Sequence, residues 1–210
     1  MNIQKKIVGV VSVLLISACS SVEIDNTEGQ SSSYVDSTKA KETSGVGIGS
    51  NDITGMTDKM LSSMMANPIL LNRDKAPRII VDAEYITNES TSRVNKNLLG
   101  DRLRIQLNRA ANGRLVFVAR HLSDMVSKER ELKRDGMVDA GTNRTTQAQA
   151  GADYRLGGRI MSHDALQTDT QKTSRYHLIT FEMIDLELGT VVWSDLYEFE
   201  KSAQDNVMYR

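Results

Sequence analysis

The only cysteine of this chain, Cys19, stands directly behind Ile16-Ser17-Ala18, and no other feature restricts the fold as much. Ahead of it come Lys5 and Lys6 and the apolar run Ile7 to Ile16. That is a basic start, an apolar stretch too short to span a bilayer, and a small-residue cleavage site. A thiol placed there is the nucleophile that lipoprotein processing joins to lipid. The expectation is a signal peptide over residues 1–18, cleaved before an acylated Cys19. Because the lipid consumes the one thiol, the exported part holds no disulfide and depends on an apolar core. The 210 residues suffice for one domain and a tail, not for two domains.

Several acyl chains on one residue, palmitate among them, anchor durably where a single chain would not. Ser20, which is not Asp, resembles the outer-membrane sorting pattern. The chain is thus expected on the inner leaflet of the outer membrane, lipid-anchored and facing the periplasm. Without Lys5 and Lys6 it carries 24 basic and 27 acidic residues, a balance that gives no reason to expect nucleic acid as a partner.

From Ser20 to Asp52, Ser, Thr, Gly and acidic residues dominate, and nothing there can offset the entropy of ordering the backbone. Residues 19–52 therefore read as a lipidated cysteine and disordered tether, reaching at most about 110 Å and averaging about 30 Å as a coil. Gly45-Val46-Gly47-Ile48-Gly49 lacks both the preceding strand and the spacing of a phosphate loop, so it is read as linker.

The globular domain is expected over residues 53–210. Ile53, Met56, Met60, Leu61, Met64 and Met65 make one helical stripe, with Asp52 as cap and Asn67-Pro68 as stop. Arg78 to Tyr85 reads as a strand and Ile86 to Ser92 as a polar loop. Val94 to Ala110 is helical, stopped by Asn112-Gly113, and strand Leu115 to Ala119 follows. A helix from Leu122 to Arg134 is expected to turn Leu122, Met125, Val126 and Leu132 inward. A short helix near Thr145 to Ala150 leads to a third strand at Tyr154 to Ser162. A mobile polar loop is expected from His163 to Ser174. Strands Arg175 to Leu186 and Val191 to Phe199, joined by Glu187-Leu188-Gly189-Thr190, complete a meander. The fold class is α/β: a single mixed sheet, made of two early βα units and the antiparallel meander, packed with helices.

Catalytic and metal chemistry lack their first members. His121, His163 and His177 lie on separate elements, and no metal-ligand spacing, nucleophile elbow or phosphate-loop lysine occurs. The carboxylate pairs Asp82/Glu84 and Asp185/Glu187 fit a solvated strand face better than acid–base work. The chain is read as neither an enzyme nor a cofactor or metal carrier.

Four segments carry a family resemblance. They are Arg78-Ile79-Ile80-Val81-Asp82 with its Asn/Ser/Thr-rich loop; Leu107 to Gly113 followed by Arg114-Leu115-Val116-Phe117-Val118; Ala150 to Gly158; and Leu188-Gly189-Thr190-Val191-Val192-Trp193-Ser194. In this order, behind a lipobox and tether, the chain resembles the LpoB-type outer-membrane lipoproteins. Similar units occur in the TolB N-terminal domain and in CsgG-like lipoproteins. The tether here is shorter and poorer in proline than in well-known members, and the loop from Asp164 to Arg175 looks longer. The resemblance implies a monomeric activator of a class A penicillin-binding protein, the bifunctional peptidoglycan synthase, acting allosterically in cell-wall synthesis and cell shape. The alternative is a CsgG-like envelope assembly or secretion subunit.

No strict motif transfers to single contact residues, so partner-binding candidates are picked on physical grounds. Asn88, Arg93 and Asn95 sit just past the first strand, where binding groups collect on a rigid scaffold. Arg155 and Arg159 alternate on one face of the third strand beside Gly157, with Tyr176 near them, and Arg and Tyr are favoured interface anchors. Trp193 is expected in the core.

Overall fold

The computed structural model describes residue 36 and residues 45–142, 148–167 and 172–203. The signal peptide, Cys19 and nearly all of the tether lie outside the described residues. In chain order the elements are α1 (Ser50–Ala66), α2 (Pro68–Leu71), β1 (Arg78–Ile80), β2 (Ile86–Asn88), α3 (Lys96–Ala111), β3 (Val116–Phe117), α4 (Ser123–Arg134), β4 (Tyr154–Gln167), β5 (Lys172–Asp185) and β6 (Val191–Ala203). The sheet is ordered β3-β1-β4-β5-β6, with β2 also beside β4. β1 pairs in parallel with β3 and β4, β2 in parallel with β4, and β4, β5 and β6 are antiparallel. This is the mixed α/β sheet expected from the sequence.

One face of the sheet makes the core. Alternation sends Tyr154, Leu156 and Ile160 of β4 and Ile179, Phe181 and Met183 of β5 to the same side, where all are buried. α1 lays Met56, Met60 and Met64 onto this side, one turn apart and all buried, beside Leu99, Leu103 and Leu107 of α3. Trp193 joins this core and donates from Nε1 to Ser63 Oγ of α1 at 3.1 Å. α3 stops as expected, with Asn112 left-handed at φ 46° and Gly113 at φ 83°. The β5–β6 turn likewise places Gly189 at φ 67°. Asp185 accepts the N–H groups of Glu187 and Leu188, each at 2.9 Å, and these bonds hold its carboxyl below the ordinary range.

Several expectations are corrected. The domain begins earlier than Ile53: α1 starts at Ser50, and Asp52 is its third residue, accepting the Gly49 N–H at 2.7 Å rather than standing as cap. Val46 is buried, so the Gly-rich stretch read as linker is packed on the domain. The strand expected over Arg78 to Tyr85 breaks after Ile80, where Asp82 Oδ1 accepts the Glu84 N–H and turns the chain. The expected loop at Ile86 then re-enters the sheet as β2, opposite Gly158 to Ile160. The loop expected from His163 to Ser174 is largely strand: Asp164 pairs with Arg175 and Ala165 with Ser174. Apart from Ala165 and the exposed Leu166 the described residues there are polar, so hydrophobic alternation is silent. α4 buries none of its residues, and Met125 is 63% exposed. α4 is instead attached by polar contacts, Arg130 to the Ala148 carbonyl and Gln149 to Ser127. Part of the expected short helix lies outside the described residues, and its described end, Ala148–Ala150, is not helical.

The segment ahead of α1 is fastened to the last two strands. His177 is buried on β5, stacks on Phe199 at 4.7 Å, and meets the Val46 carbonyl at 2.7 Å through Nε2. A carbonyl can only accept, so the proton sits on Nε2. Lys201 of β6 donates to the Gly47 carbonyl at 2.9 Å and pairs with Asp52. Burial pushes the His177 pKa below its ordinary 6.5; the Val46 bond opposes this, Arg175 and Lys201 reinforce it, and Asp52 acts against it. Because the folded pKa is depressed, the unfolded chain binds the proton first. Stability is therefore complete above about pH 6.5 and declines as pH falls below it. In an NMR titration the His177 ring is expected to titrate below free histidine, and a value at or above 6.5 would contradict this account.

Candidate functional site

The opposite face of β4, β5 and β6 has no helix packed on it among the described contacts. It carries Arg155, Gly157, Arg159 and Met161 of β4, then Ile184, Glu182, Thr180, Leu178 and Tyr176 of β5, then Ser194, Leu196, Glu198 and Glu200 of β6. Every one of these β6 residues is exposed. Over the β2–β4–β5 part lies a trough of about 700 Å³, lined by Tyr85, Thr87, Arg155, Arg159, Met161, Thr180, Glu182, Ile184 and Leu186.

The detour between β1 and β2 forms one wall. Arg155 Nη2 donates to both carboxylate oxygens of Asp82 at 3.0 Å and also to Glu84, and its guanidinium lies 4.3 Å from the Tyr85 ring centroid. Its side chain is only 16% exposed, so Arg155 is an internal brace of the trough rather than an open contact group. Asp82 and Glu84, read from sequence as solvated strand residues, are its partners. Arg159 is open, at 58% exposure, and reaches Glu89 at 3.5 Å. Gly157 stands between the two arginines, and a Cβ there would meet only the Tyr85 carbonyl, at 3.7 Å.

Tyr176 shares this face but not the trough. It lies opposite His163, four residues beyond Arg159 and thus about 13 Å further along β4. Its hydroxyl donates to Glu198 at 2.6 Å, and that bond pushes its pKa up and keeps the phenol protonated. Asn88 donates to the Ser92 carbonyl and accepts from Ser90, which closes its own loop. Asn95 caps α3 by accepting from Asn97 and Leu98. Arg93, between them, is exposed. The loop docks away from the trough: Thr91 binds Ser162, and Ser92 accepts from Arg175, whose pairing with Asp164 holds that carboxyl below the ordinary range. The fold therefore unites Arg155 and Arg159, puts Tyr176 on the same face at a distance, and leaves the Asn88 to Asn95 loop as a separate patch. Sequence reasoning missed Glu182, which stands directly across from Gly157. Only the strand register, invisible in the linear chain, brings those two together.

Among the described residues no group of three or more His, Cys, Asp and Glu side chains is placed to hold a metal ion. What the site offers is a contact surface of apolar and charged groups.

Comparison with curated proteins gives no match. Among solved structures, the chain is similar to the LpoB C-terminal domain from Escherichia coli at 16% identity, covering 70% of this chain and 98% of that one, with a TM-score of 0.40. The corresponding domain from Salmonella enterica is similar at 17% identity, covering 70% and 94%, with a TM-score of 0.37. The lipoprotein GNA1162 from Neisseria meningitidis is similar at 19%, covering 62% and 87%, with a TM-score of 0.32. The family model described as peptidoglycan-synthase activator LpoB matches residues 52–199, nearly the whole folded part. That match does not favour the CsgG-like alternative, and it names a family of activators of a synthase. The chain belongs to the LpoB family of peptidoglycan-synthase activators.

Proposed function

We propose that this chain is an outer-membrane lipoprotein that binds a class A penicillin-binding protein and raises its activity allosterically. The carrying observation is the family match over residues 52–199. In this reading residues 1–18 are a signal peptide, Cys19 carries the lipid, and the stretch ahead of Val46 is a tether holding the domain in the periplasm. Tethering keeps a moderate binder at high local concentration near its partner. A ligand activates only by the difference in its affinity for the active and inactive states of its partner, and tenfold stimulation needs about 1.4 kcal/mol of that difference. Such work requires a shaped surface and no catalytic group.

The uncovered sheet face supports this reading. Three strands of up to 14 residues, spaced about 4.8 Å apart with a rise of about 3.3 Å per residue, present about 650 Å², close to one partner's share of an ordinary interface. Arg159 and Tyr176 are its proposed contact groups, with Arg155 as brace. Arg93 belongs to the neighbouring loop patch held by Asn88 and Asn95.

The test is glycan polymerisation and crosslinking by a purified class A synthase of the same bacterium, with and without the full-length chain in detergent. Stimulation at micromolar protein is the expected result. No stimulation, or a mature protein whose Cys19 is unmodified by mass spectrometry, would overturn the reading.

A further inference from the structure

Around the trough, negative charge exceeds positive. Arg155 is engaged by Asp82 and Glu84, Arg159 faces Glu89, and Glu182 adds a further carboxylate that makes no ion pair or hydrogen bond among the described residues. Glu182 is also exposed. Its register neighbours are Gly157 on β4 and Ser194 on β6, so neither flank offers a side chain long enough to cover it. Along its own strand lie Thr180 and Ile184, and the trough wall continues with Met161 and Leu186.

The result is a slot with an apolar wall, a floor opened by a glycine, and one carboxylate that has no ion-pair partner among the described residues, beside the open Arg159. Lysine and arginine have this dual character, an aliphatic stem with a cationic head. Resting on the function proposed above, we propose that the trough over Gly157 receives a lysine or arginine side chain of the synthase. Its stem lies over Gly157 against Ile184, the strand neighbour of Glu182 on this face, and its head pairs with Glu182. Neighbouring apolar contacts then exclude water from the pair, the setting in which a single anchor contributes most to binding.

The geometry supplies two independent variants. Glu182→Lys reverses the charge at an exposed position, where folding is little affected. Gly157→Leu leaves every charge in place and fills the floor; the Cβ has room, and the position lies in a strand without positive φ. Glu131→Lys on the exposed helix α4 is the control for a general change of net charge. The full-length chain in detergent would be titrated against the purified synthase, with stimulation followed in parallel and melting curves checking the fold. Glu182→Lys and Gly157→Leu are each expected to weaken binding by roughly thirtyfold or more. Glu131→Lys is expected to change it less than threefold, and the wild-type affinity should fall as salt rises.

Wild-type binding and stimulation that survive both trough variants would overturn the inference and leave the proposed function standing. Equal losses in Glu131→Lys would overturn it as well, and so would a wild-type chain that self-associates through this face. A wild-type chain that neither binds nor stimulates removes the proposed function and this inference together.

Discussion

Phe181→Ala is expected to lower unfolding stability by about 3–5 kcal/mol. Phe181 is fully buried in the middle of β5, and its ring lies over Gly158 of β4. A Cβ at Gly158 would come within 2.6 and 2.7 Å of two ring carbons and 3.1 Å of the Thr180 carbonyl. The ring therefore occupies space that only glycine leaves empty, and truncation opens a cavity that a paired sheet cannot collapse to fill. Thermal melting should fall by about 10 °C or more for a domain of this size. Gly158→Ala alone is expected to cost about 1–3 kcal/mol by overpacking. Combined with Phe181→Ala it should cost less than the sum, because the new methyl enters the vacated space. A melting temperature unmoved by Phe181→Ala would remove the ring from the core.

The second large effect is placed on α1. Met60 is completely buried between α1, α3 and the sheet, and Met60→Asp puts an unpaired carboxylate there. Burying such a charge costs several kcal/mol. The helix has a cheaper exit, which is to leave the sheet, so the observed loss is capped by the free energy of undocking α1. Hydrogen exchange should then lose protection over residues 50–66 while β4 and β5 remain protected. Trp193, bonded to Ser63 beneath that helix, should shift its emission to the red as water reaches it. Retained protection across α1 would contradict this account.

Those two positions also mark what could be read from the linear chain. The methionine stripe was legible because a helix repeats its buried face every three to four residues, and Met56, Met60 and Met64 obey that period. The β5–β6 hairpin was legible through alternation and Gly189. β2 was not, because Ile86-Thr87-Asn88 offers a single apolar residue and its pairing partner lies some seventy positions away. The continuation of β4 and β5 past Ser162 was hidden because Arg175 and Asp164 meet as an ion pair where apolar residues were looked for. In α4 the amphipathic pattern was real, but a pattern names a face and not what covers it.

The candidate site followed the same rule. Arg155 and Arg159 were correctly placed on one face by their spacing, yet their difference in role came from the β1–β2 detour, which supplies Asp82, Glu84 and Tyr85 to one arginine only. Asn88 and Asn95 attracted notice as polar loop residues, and their side chains are spent on the backbone beside them. Sequence identifies residue types able to bind, whereas register decides which of them remain available.

The fastening of residues 46–49 onto β5 and β6 determines how the domain would take a pull. Tension arriving along the chain from the N-terminal side meets the Val46–His177 bond and the Lys201 contacts to Gly47 and Asp52 before it reaches the first turn of α1. Those contacts tie the chain to the two long C-terminal strands and must break before α1 can be unwound one turn at a time.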